Sequence, residues 1–231
     1  MLVPEILYED NHLLVVVKPP GILSQEDQTG TPDMLTILKA WLKEKYQKPG
    51  NVYLGLLHRL DRPVQGVMVF AKTSKAASRM SEQIRKGLLK KKYHAVVWGT
   101  PEKKEDKIHS WLLKDEEKNK VTVFTDTDQI PKKAKEAALS YIQIGDSVPF
   151  SNEKISLLEV DLQTGRSHQI RVQLSANKMA IVGDRKYGLK SDSYKGDICL
   201  ESYLLSFTHP ITKEQMTFQT TEQNKLPWNL F

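Results

Sequence analysis

An α+β fold on a bent, mainly antiparallel sheet is predicted by three features of this 231-residue chain. Between residues 108 and 162, short β-rich runs (Ile108–Leu113, Val121–Phe124, Ala137–Ile144, Ile155–Leu162) alternate with polar turns, and strands joined by short turns pair antiparallel. Two other stretches, Pro32–Tyr46 and Thr73–Gly87, repeat apolar residues at helical spacing and supply helices to cover the sheet. The chain closes on Leu204–Thr208 and Met216–Thr220, a hairpin around Pro210–Gln215.

Taken in order, Ile6–Pro19 reads as two strands around an Asp10-Asn11 turn, stopped by prolines that no central ladder can continue. Pro20-Gly21 then turns the chain. The first helix has Leu35, Leu38, Leu42 and Tyr46 as its stripe, Trp41 and Leu42 in the core, Thr31 as cap and Pro32 at the first helical position. His58-Arg59-Leu60-Asp61-Arg62-Pro63-Val64-Gln65-Gly66 is a loop marked by Pro and Gly. It feeds Val67–Lys72, a strand with apolar side chains on both faces. Thr73 or Ser74 caps the second helix, whose inner stripe is Ala76, Ala77, Met80 and Ile84, and Gly87 ends it. Lys92–Gly99 is a strand, Glu102–Lys107 a solvated charged loop, and Ser167–Asn177 a third helix with Ile170 and Leu174 inward. No Pro/Ser-rich linker, repeat or low-complexity tract interrupts the chain, so one domain over residues 1–231 is expected.

A hydrophobic fraction of 39% with 27% charged residues is that of an ordinary soluble protein and excludes extensive disorder. No stretch approaches a membrane span. Met1–Glu9 lacks the basic segment, apolar run and small-residue cleavage site of a secretory leader, so a cytoplasmic location is expected. Cys199 is the only cysteine, which excludes internal disulfides and zinc sites built on paired thiolates, and its apolar setting, Ile198–Leu205, makes it a buried, inert thiol. Lys and Arg number 34 against 28 Asp and Glu, giving a net charge of +6 and a pI near 9.2, which favours an anionic partner. Arg85, Lys86, Lys90, Lys91 and Lys92 crowd before one strand, while Arg59, Arg62, Arg166, Arg171, Arg185 and Lys186 fall in the loops singled out below. Such clusters mark a phosphate-binding surface when they converge in space.

Asp61, a carboxylate flanked by Arg59 and Arg62 in a loop borne by a buried strand, is the first candidate for a catalytic residue. Such a tetrapeptide alone is more often an ion pair or turn. Further segments raise its standing: Lys92-Tyr93 at the start of a strand, Thr164-Gly165-Arg166-Ser167-His168-Gln169-Ile170-Arg171-Val172, and Val182-Gly183-Asp184-Arg185-Lys186-Tyr187-Gly188. With these in their order, the chain resembles the RluA-type RNA pseudouridine synthases. In that family an H-R-L-D loop carries the catalytic Asp, a K-x-Y strand a pocket tyrosine, and a T-G-R-x-H-Q-I-R segment an arginine paired with the Asp. The Leu7–Gly21 opening and the Thr208-His209-Pro210 turn extend the resemblance over nearly the whole chain. With the resemblance starting at the opening residues, the chain is expected to fall with the compact members that lack an amino-terminal RNA-binding domain.

The resemblance implies a pseudouridine synthase-like fold with a central RNA-binding cleft. It also implies isomerisation of uridine to pseudouridine in structured ribosomal or transfer RNA, a reaction that needs no cofactor or metal. Asp61 acts at the sugar, by adding to the anomeric carbon or by removing the proton from the neighbouring ribose carbon. Either role needs an ionised carboxylate in a dry pocket, hence an opposed charge, and Arg171 matches the family's pairing arginine. Tyr93 matches the pocket tyrosine, whose ring stacks on the flipped uracil. Extruding the uridine costs about a few kcal/mol, and Arg59 is the candidate to fill the gap. His58 braces the loop. Arg62, Arg166, His168, Gln169, Arg185 and Lys186 are candidates for holding RNA, with a solvated or structural side chain as the competing reading for each.

Pro63, Val64 and Gln65 stand where family members often have a Thr-Ser pair, and Glu201 where a Leu-His-Ala stretch often occurs. The departures bear on which RNA is modified. Two other functions compete. A catalytically idle RNA-binding or RNA-folding module would not need Asp61, Tyr93 and Arg171 together, and an Asp-dependent glycosidase would need a second carboxylate, for which the motif segments offer only Asp184. No obligate protein partner is evident, and a monomer is expected.

Overall fold

The β-rich runs and amphipathic stretches become fourteen elements in the structure, a computed structural model that describes residues 3–27, 30–125, 130–221 and 223–231. In chain order they are β1 (Ile6–Glu9), β2 (Leu13–Lys18), α1 (Met34–Lys45), β3 (Gly55–Leu56), β4 (Gln65–Ala71), α2 (Ser74–Arg85) and β5 (Lys90–Trp98). There follow β6 (Glu105–Asp115), β7 (Lys120–Phe124), β8 (Lys135–Phe150), β9 (Glu153–Leu162), α3 (Gln169–Ala176), β10 (Leu200–Thr208) and β11 (Gln215–Gln219). They divide into two compact units, Met1–Lys91 with Ser202–Thr221 and Lys92–Glu201 with Glu222–Phe231. Met1 and Leu2, at the head of the segment read for a leader, lie outside the described residues. No helix among those residues is long and apolar enough to cross a membrane.

In the first unit β2 is paired antiparallel with β1 on one side and with β4 on the other, Leu13 opposite Ala71 and Lys18 opposite Gly66. β4 neighbours β10, which forms the closing hairpin with β11. Both faces of β2 and β4 are dry, as their unbroken apolar sequences require. Leu13, Val15, Val67, Val69 and Ala71 pack with Leu205, Phe207 and the α2 residues Ala76 and Met80, while Leu14, Val16, Met68 and Phe70 are buried on the opposite side. Thr73 caps α2 by accepting from the Ala76 amide, and Gly87, in left-handed conformation at φ +67°, closes it.

The face of α1 differs from the one expected. Asp33 caps it, Oδ1 accepting from the Leu35 and Thr36 amides, so the helix starts beyond Pro32 and neither Thr31 nor Pro32 takes its expected place. Met34, Ile37, Leu38 and Leu42 are buried, Trp41 is half-buried under the Lys45 ammonium, and Tyr46 is exposed. The Tyr46 hydroxyl donates to Glu9 at 2.7 Å, which gives its polar end a partner at the surface.

In the second unit the order β5-β9-β8-β6-β7 is antiparallel at every step. Glu105–Lys107, expected as loop, is the first part of β6, because pairing with Ile142, Tyr141 and Ser140 of β8 satisfies its backbone whatever its charged side chains do. β8 runs past Ile144 to Phe150 through a register shift at Gly145 (φ +71°), where the sequence reads as a turn. α3 begins one residue late for a Ser167 cap. His168 is its N-cap, in left-handed conformation (φ 54°) without a side-chain cap bond. Residues Gln169 to Leu174 are all buried, so α3 is covered all round, its Val172 packing with Leu112, Val121, Ala137 and Tyr187.

Gly66 fixes how closely β4 passes β10. Its φ is +139°, and a β-carbon there would lie 2.4 Å from the Ser202 carbonyl oxygen and 2.6 Å from its amide nitrogen. Gly66→Ala is expected to cost about 3 kcal/mol or more, from overpacking against backbone together with φ strain. Gly50→Ala, where nothing lies within 4 Å, should stay within about 0.5 kcal/mol. Urea unfolding of the two variants checks the contrast.

Candidate active site

The Asp61 loop of the first unit is fastened at nearly every residue. Upstream, His58 is buried, and its Nε2 accepts from the Val69 amide of β4 at 3.1 Å. Burial, helped by the charge of Lys91, holds its imidazole well below its ordinary value, as an accepting ring nitrogen requires. Leu60 is pinned from both sides by one hydroxyl: Ser24 Oγ donates to the Leu60 carbonyl (2.9 Å) and accepts from the Leu60 amide (3.1 Å). Downstream, the Val64 amide donates to the Asp61 carbonyl (3.0 Å) and the Gly21 amide to the Arg62 carbonyl (2.9 Å). Arg62 Nε returns a bond to the Gly21 carbonyl (3.0 Å). Gln65, one of the departures noted above, is the first residue of β4.

Beneath this loop lies Lys18, the last residue of β2. It is fully buried, and its ammonium donates to the carbonyls of Pro19 (2.9 Å) and Arg62 (3.0 Å). Desolvation pushes it down to about 7, with the negative charge of Asp61 acting the other way. Asp61 itself is half-buried, while Arg59 and Arg62 on either side are exposed.

In the second unit Tyr93 is buried on β5 opposite Val160. Arg171, on α3, makes a two-pronged pair with Asp184, Nε to Oδ2 at 2.9 Å and Nη2 to Oδ1 at 2.7 Å, both side chains buried. Asp184 Oδ1 also accepts from the Lys186 and Tyr187 amides, at 2.9 and 3.1 Å. Burial pushes this carboxyl up, but the Arg171 bonds and charge and the two amides outweigh it and hold it below the usual carboxylate range. The guanidinium faces the Tyr187 ring at 5.3 Å. The Tyr187 hydroxyl lies 2.7 Å from His168 Nδ1 and accepts from the Val121 amide at 2.8 Å. Asp184 is thus the carboxylate that orients Arg171, a role the sequence reading missed although Asp184 stood in one of its motif segments.

Gln169 is buried, its Oε1 taking the Thr164 hydroxyl and the Arg166 amide and its Nε2 donating to the Ala138 carbonyl. Its amide holds the Gly165 turn. Gln169 is thereby tied to its own unit's backbone, as His58 is to β4. Arg166, Arg185 and Lys186 are exposed and lean on the carbonyls of Glu136, Tyr194 and Asn119. Of the basic cluster, which the structure places at the end of α2 and in the first residues of β5, Lys86 is paired with Glu82, Lys92 with Glu159, and Lys91 is partly buried, while Arg85 and Lys90 are exposed. Glu201 is buried and accepts from Gln223 at 3.2 Å. Cys199 is buried, and desolvation pushes its thiol up to about 12. Among the described residues no group of three or more His, Cys, Asp or Glu is placed to hold a metal ion.

Residues 12–176, more than half of the chain, match the family model described as RNA pseudouridylate synthase. The chain belongs to that family. It is 31% identical to the dual-specificity RNA pseudouridine synthase RluA of Haemophilus influenzae, over 93% of this chain and 91% of that one. It is 30% identical to tRNA pseudouridine synthase C of Pectobacterium carotovorum, over 93% of this chain but only 58% of that relative's length. Among solved structures, human RNA pseudouridylate synthase domain containing 4 superposes with a TM-score of 0.76 at 22% identity, covering 95% of this chain and 89% of that one. The fold is that of the pseudouridylate synthase domains.

Two stability predictions follow from the buried charges. Unfolded, Lys18 titrates near 10.5, and folded, near 7. Between these values the unfolded chain binds more protons, so this residue makes stability rise with pH, by up to about 1.4 kcal/mol per pH unit. Lys18→Met should remove that rise, read as the difference between variant and wild type in urea unfolding from pH 7 to pH 9, below the range in which Cys199 acts oppositely. Asp184 acts with the same sign in a lower pH window: its folded value is depressed, so its contribution is present above the ordinary value of 3.8 and is lost as pH falls through the folded value. Asp184→Asn strands the buried guanidinium and should cost about 3–5 kcal/mol at pH 7, measured by the same unfolding.

Proposed function

We propose that this chain isomerises uridine to pseudouridine at a set position of a structured ribosomal or transfer RNA, with Asp61 as the acting carboxylate and without cofactor or metal. The observation that carries the reading is the Asp61 loop, immobilised by Ser24, Gly21, Val64 and Lys18. A loop with so many of its backbone groups fastened is built to hold a reacting group in one geometry. Family membership supplies the reaction class, and both units together form the catalytic domain in this reading.

A target base inside a folded RNA has to leave its stack, at a cost of about a few kcal/mol. Arg59, exposed beside Asp61, fills the vacated space with its planar guanidinium. The Tyr93 ring carries the face of the extruded uracil, which needs only a π-surface, and its hydroxyl assists the late proton removal from carbon. Asp61 acts at the sugar while the N-glycosidic bond breaks, the uracil turns, and a C–C bond to the ribose forms. The reaction is an isomerisation, so no group enters or leaves. Arg171, its plane set by Asp184, is the guanidinium that opposes the Asp61 charge during this sequence. Arg62, Arg166, Arg185 and Lys186 offer charge to the RNA phosphates, with His168 at the head of α3 beside them. The protein acts as a cytoplasmic monomer.

The decisive experiment maps pseudouridine across total RNA by carbodiimide labelling in cells deleted for the gene and complemented with wild type or Asp61→Asn. One signal that disappears on deletion and returns only with wild type is expected. On that RNA in vitro, Asp61→Asn should lose at least about 100-fold in rate, the lower end of what a positioned proton-transfer group contributes. Equal restoration by the variant removes Asp61 from catalysis. No change in any signal, with RNA binding retained, makes the chain an RNA-binding module.

A further inference from the structure

We propose that Ser24 is a positioning residue for Asp61, its buried hydroxyl fixing the peptide plane by which the chain enters the carboxylate-bearing residue. This deepens the function proposed above and rests on Asp61 being the acting carboxylate.

Asp61 lies outside every helix and strand, so its backbone is not set by a regular ladder. Its orientation depends on the two peptide planes that meet at its α-carbon. The plane after it is fastened within the loop, the Val64 amide donating to the Asp61 carbonyl at 3.0 Å. The plane before it carries the Leu60 carbonyl, and this is fastened from outside the loop by the Ser24 hydroxyl at 2.9 Å. The Leu60 amide donates to the same Oγ at 3.1 Å, so one side-chain atom meets both backbone groups of the residue before Asp61, across 36 residues of chain. A hydroxyl can do this because it carries a donor and two acceptor lone pairs on a single atom.

The anchor is itself held. Ser24 is 4% exposed, and its Oγ also lies 3.8 Å from Met68 Sδ of β4. Its neighbour Leu23 forms a parallel bridge with Asp33, and the Leu23 carbonyl accepts from the Met34 amide at 2.8 Å. Asp33 is the cap of α1, so the hydroxyl stands on a segment tied to the head of a helix. Satisfying the buried backbone of Leu60 would not by itself require such an atom, since an ordered water can bridge an amide and a carbonyl. A hydroxyl on an anchored main chain satisfies the same groups and also sets where they lie. Rotation of the plane before Asp61 swings its carboxylate, and a displacement of about 1 Å at a reacting group costs on the order of 100-fold in rate. Ser24 has almost no surface with which to hold RNA, so its effect falls on the chemical step.

The test compares Ser24→Ala, Ser24→Cys, Ser24→Thr and Asp61→Asn on the RNA identified by the mapping, each normalised to folded enzyme by urea unfolding. Ser24→Ala removes the oxygen and Ser24→Cys puts a weakly bonding sulfur in its place. Both are expected to lose about 10- to 100-fold in kcat per folded molecule while KM for the RNA stays within about threefold. Ser24→Thr keeps the hydroxyl and should stay within about threefold of wild-type kcat. Amide hydrogen exchange gives a second readout that needs no turnover: in Ser24→Ala it should quicken at Leu60 and at Val64, on the far side of Asp61, and stay unchanged at Ile37, whose amide donates to Asp33 in α1. Wild-type kcat in the folded Ala and Cys variants overturns the proposal, as does quickened exchange confined to Leu60. An equal loss in all three Ser24 variants assigns the effect to side-chain volume, and failure of both Ala and Cys variants to fold assigns Ser24 to the core; either result also overturns it. A dead Asp61→Asn enzyme beside a fully active Ser24→Ala refutes only the role of Ser24. An active Asp61→Asn enzyme removes the catalytic reading on which it rests.

Discussion

Burying charge without stranding it is the constraint around which both units are arranged. Lys18 in the first and Arg171 in the second are removed from water, where each would destabilise the fold by several kcal/mol if left without partners. The solutions differ with the ion. Lys18 is a point charge, and backbone carbonyls that point inward from the end of β2 and from the Asp61 loop are enough for it. Arg171 is a planar fork, and it is met by a carboxylate in the matching two-pronged geometry, itself anchored by two backbone amides.

The local structure around each charge follows from this need. The Pro19-Pro20 pair has no amide hydrogens, so β2 cannot continue its ladder there, and the Pro19 carbonyl becomes available to Lys18. Gly66 lets β4 leave the Asp61 loop in close passage against Ser202, so that the loop stays seated against the end of β2. In the second unit the turn from Gly183 to Gly188 wraps Asp184, and the Gly188 amide donates to the Asp184 carbonyl. A β-carbon at Gly188 would lie 2.2 Å from that same oxygen. The glycines at both places serve approach distance.

Much of this was legible in the sequence. Unbroken runs of Val and Leu predicted strands covered on both faces, and β2 and β4 are that. Thr73, Gly87 and the helical spacing between them predicted α2 with its cap and stop. The Asp61 loop stood out because Pro, Gly and two arginines cannot belong to a strand interior. What escaped were features whose cause is tertiary. Nothing local separates Lys18 from a lysine that ends a strand in water, since its acceptor at Arg62 is 44 residues away. The Arg171–Asp184 pair spans 13 residues and two elements. α3 showed two inward residues by period, but it is covered on all sides, and period cannot report that when Gln169, Arg171 and Gln173 are buried by bonding rather than by apolarity. On α1 a two-residue shift of the cap, from Thr31 to Asp33, came with a different face turned inward.

In the function proposed above, the distinction between buried and exposed charge also separates chemistry from target choice. Lys18 is locked into bonds with backbone carbonyls, and Arg171 and Asp184 into bonds with each other, and in the function proposed above a change at any of them alters the geometry or the charge around the acting carboxylate. Arg59, Arg62, Arg166, Arg185 and Lys186 are exposed, several tethered by a single bond to a nearby carbonyl and able to exchange that bond for a phosphate oxygen. Each phosphate so engaged contributes about 0.7 to 0.9 to the slope of log affinity against log salt, with little dependence on sequence. Sequence preference must then come from elements shaped to a particular fold of RNA, and the departures at Pro63 to Gln65 and at Glu201 fall outside both sets of charges. The two groups meet at the backbone, where Lys18 donates to the Arg62 carbonyl and the Lys186 amide donates to Asp184, so in the function proposed above it is the exposed side chains, and not these backbone bonds, that can vary with the RNA.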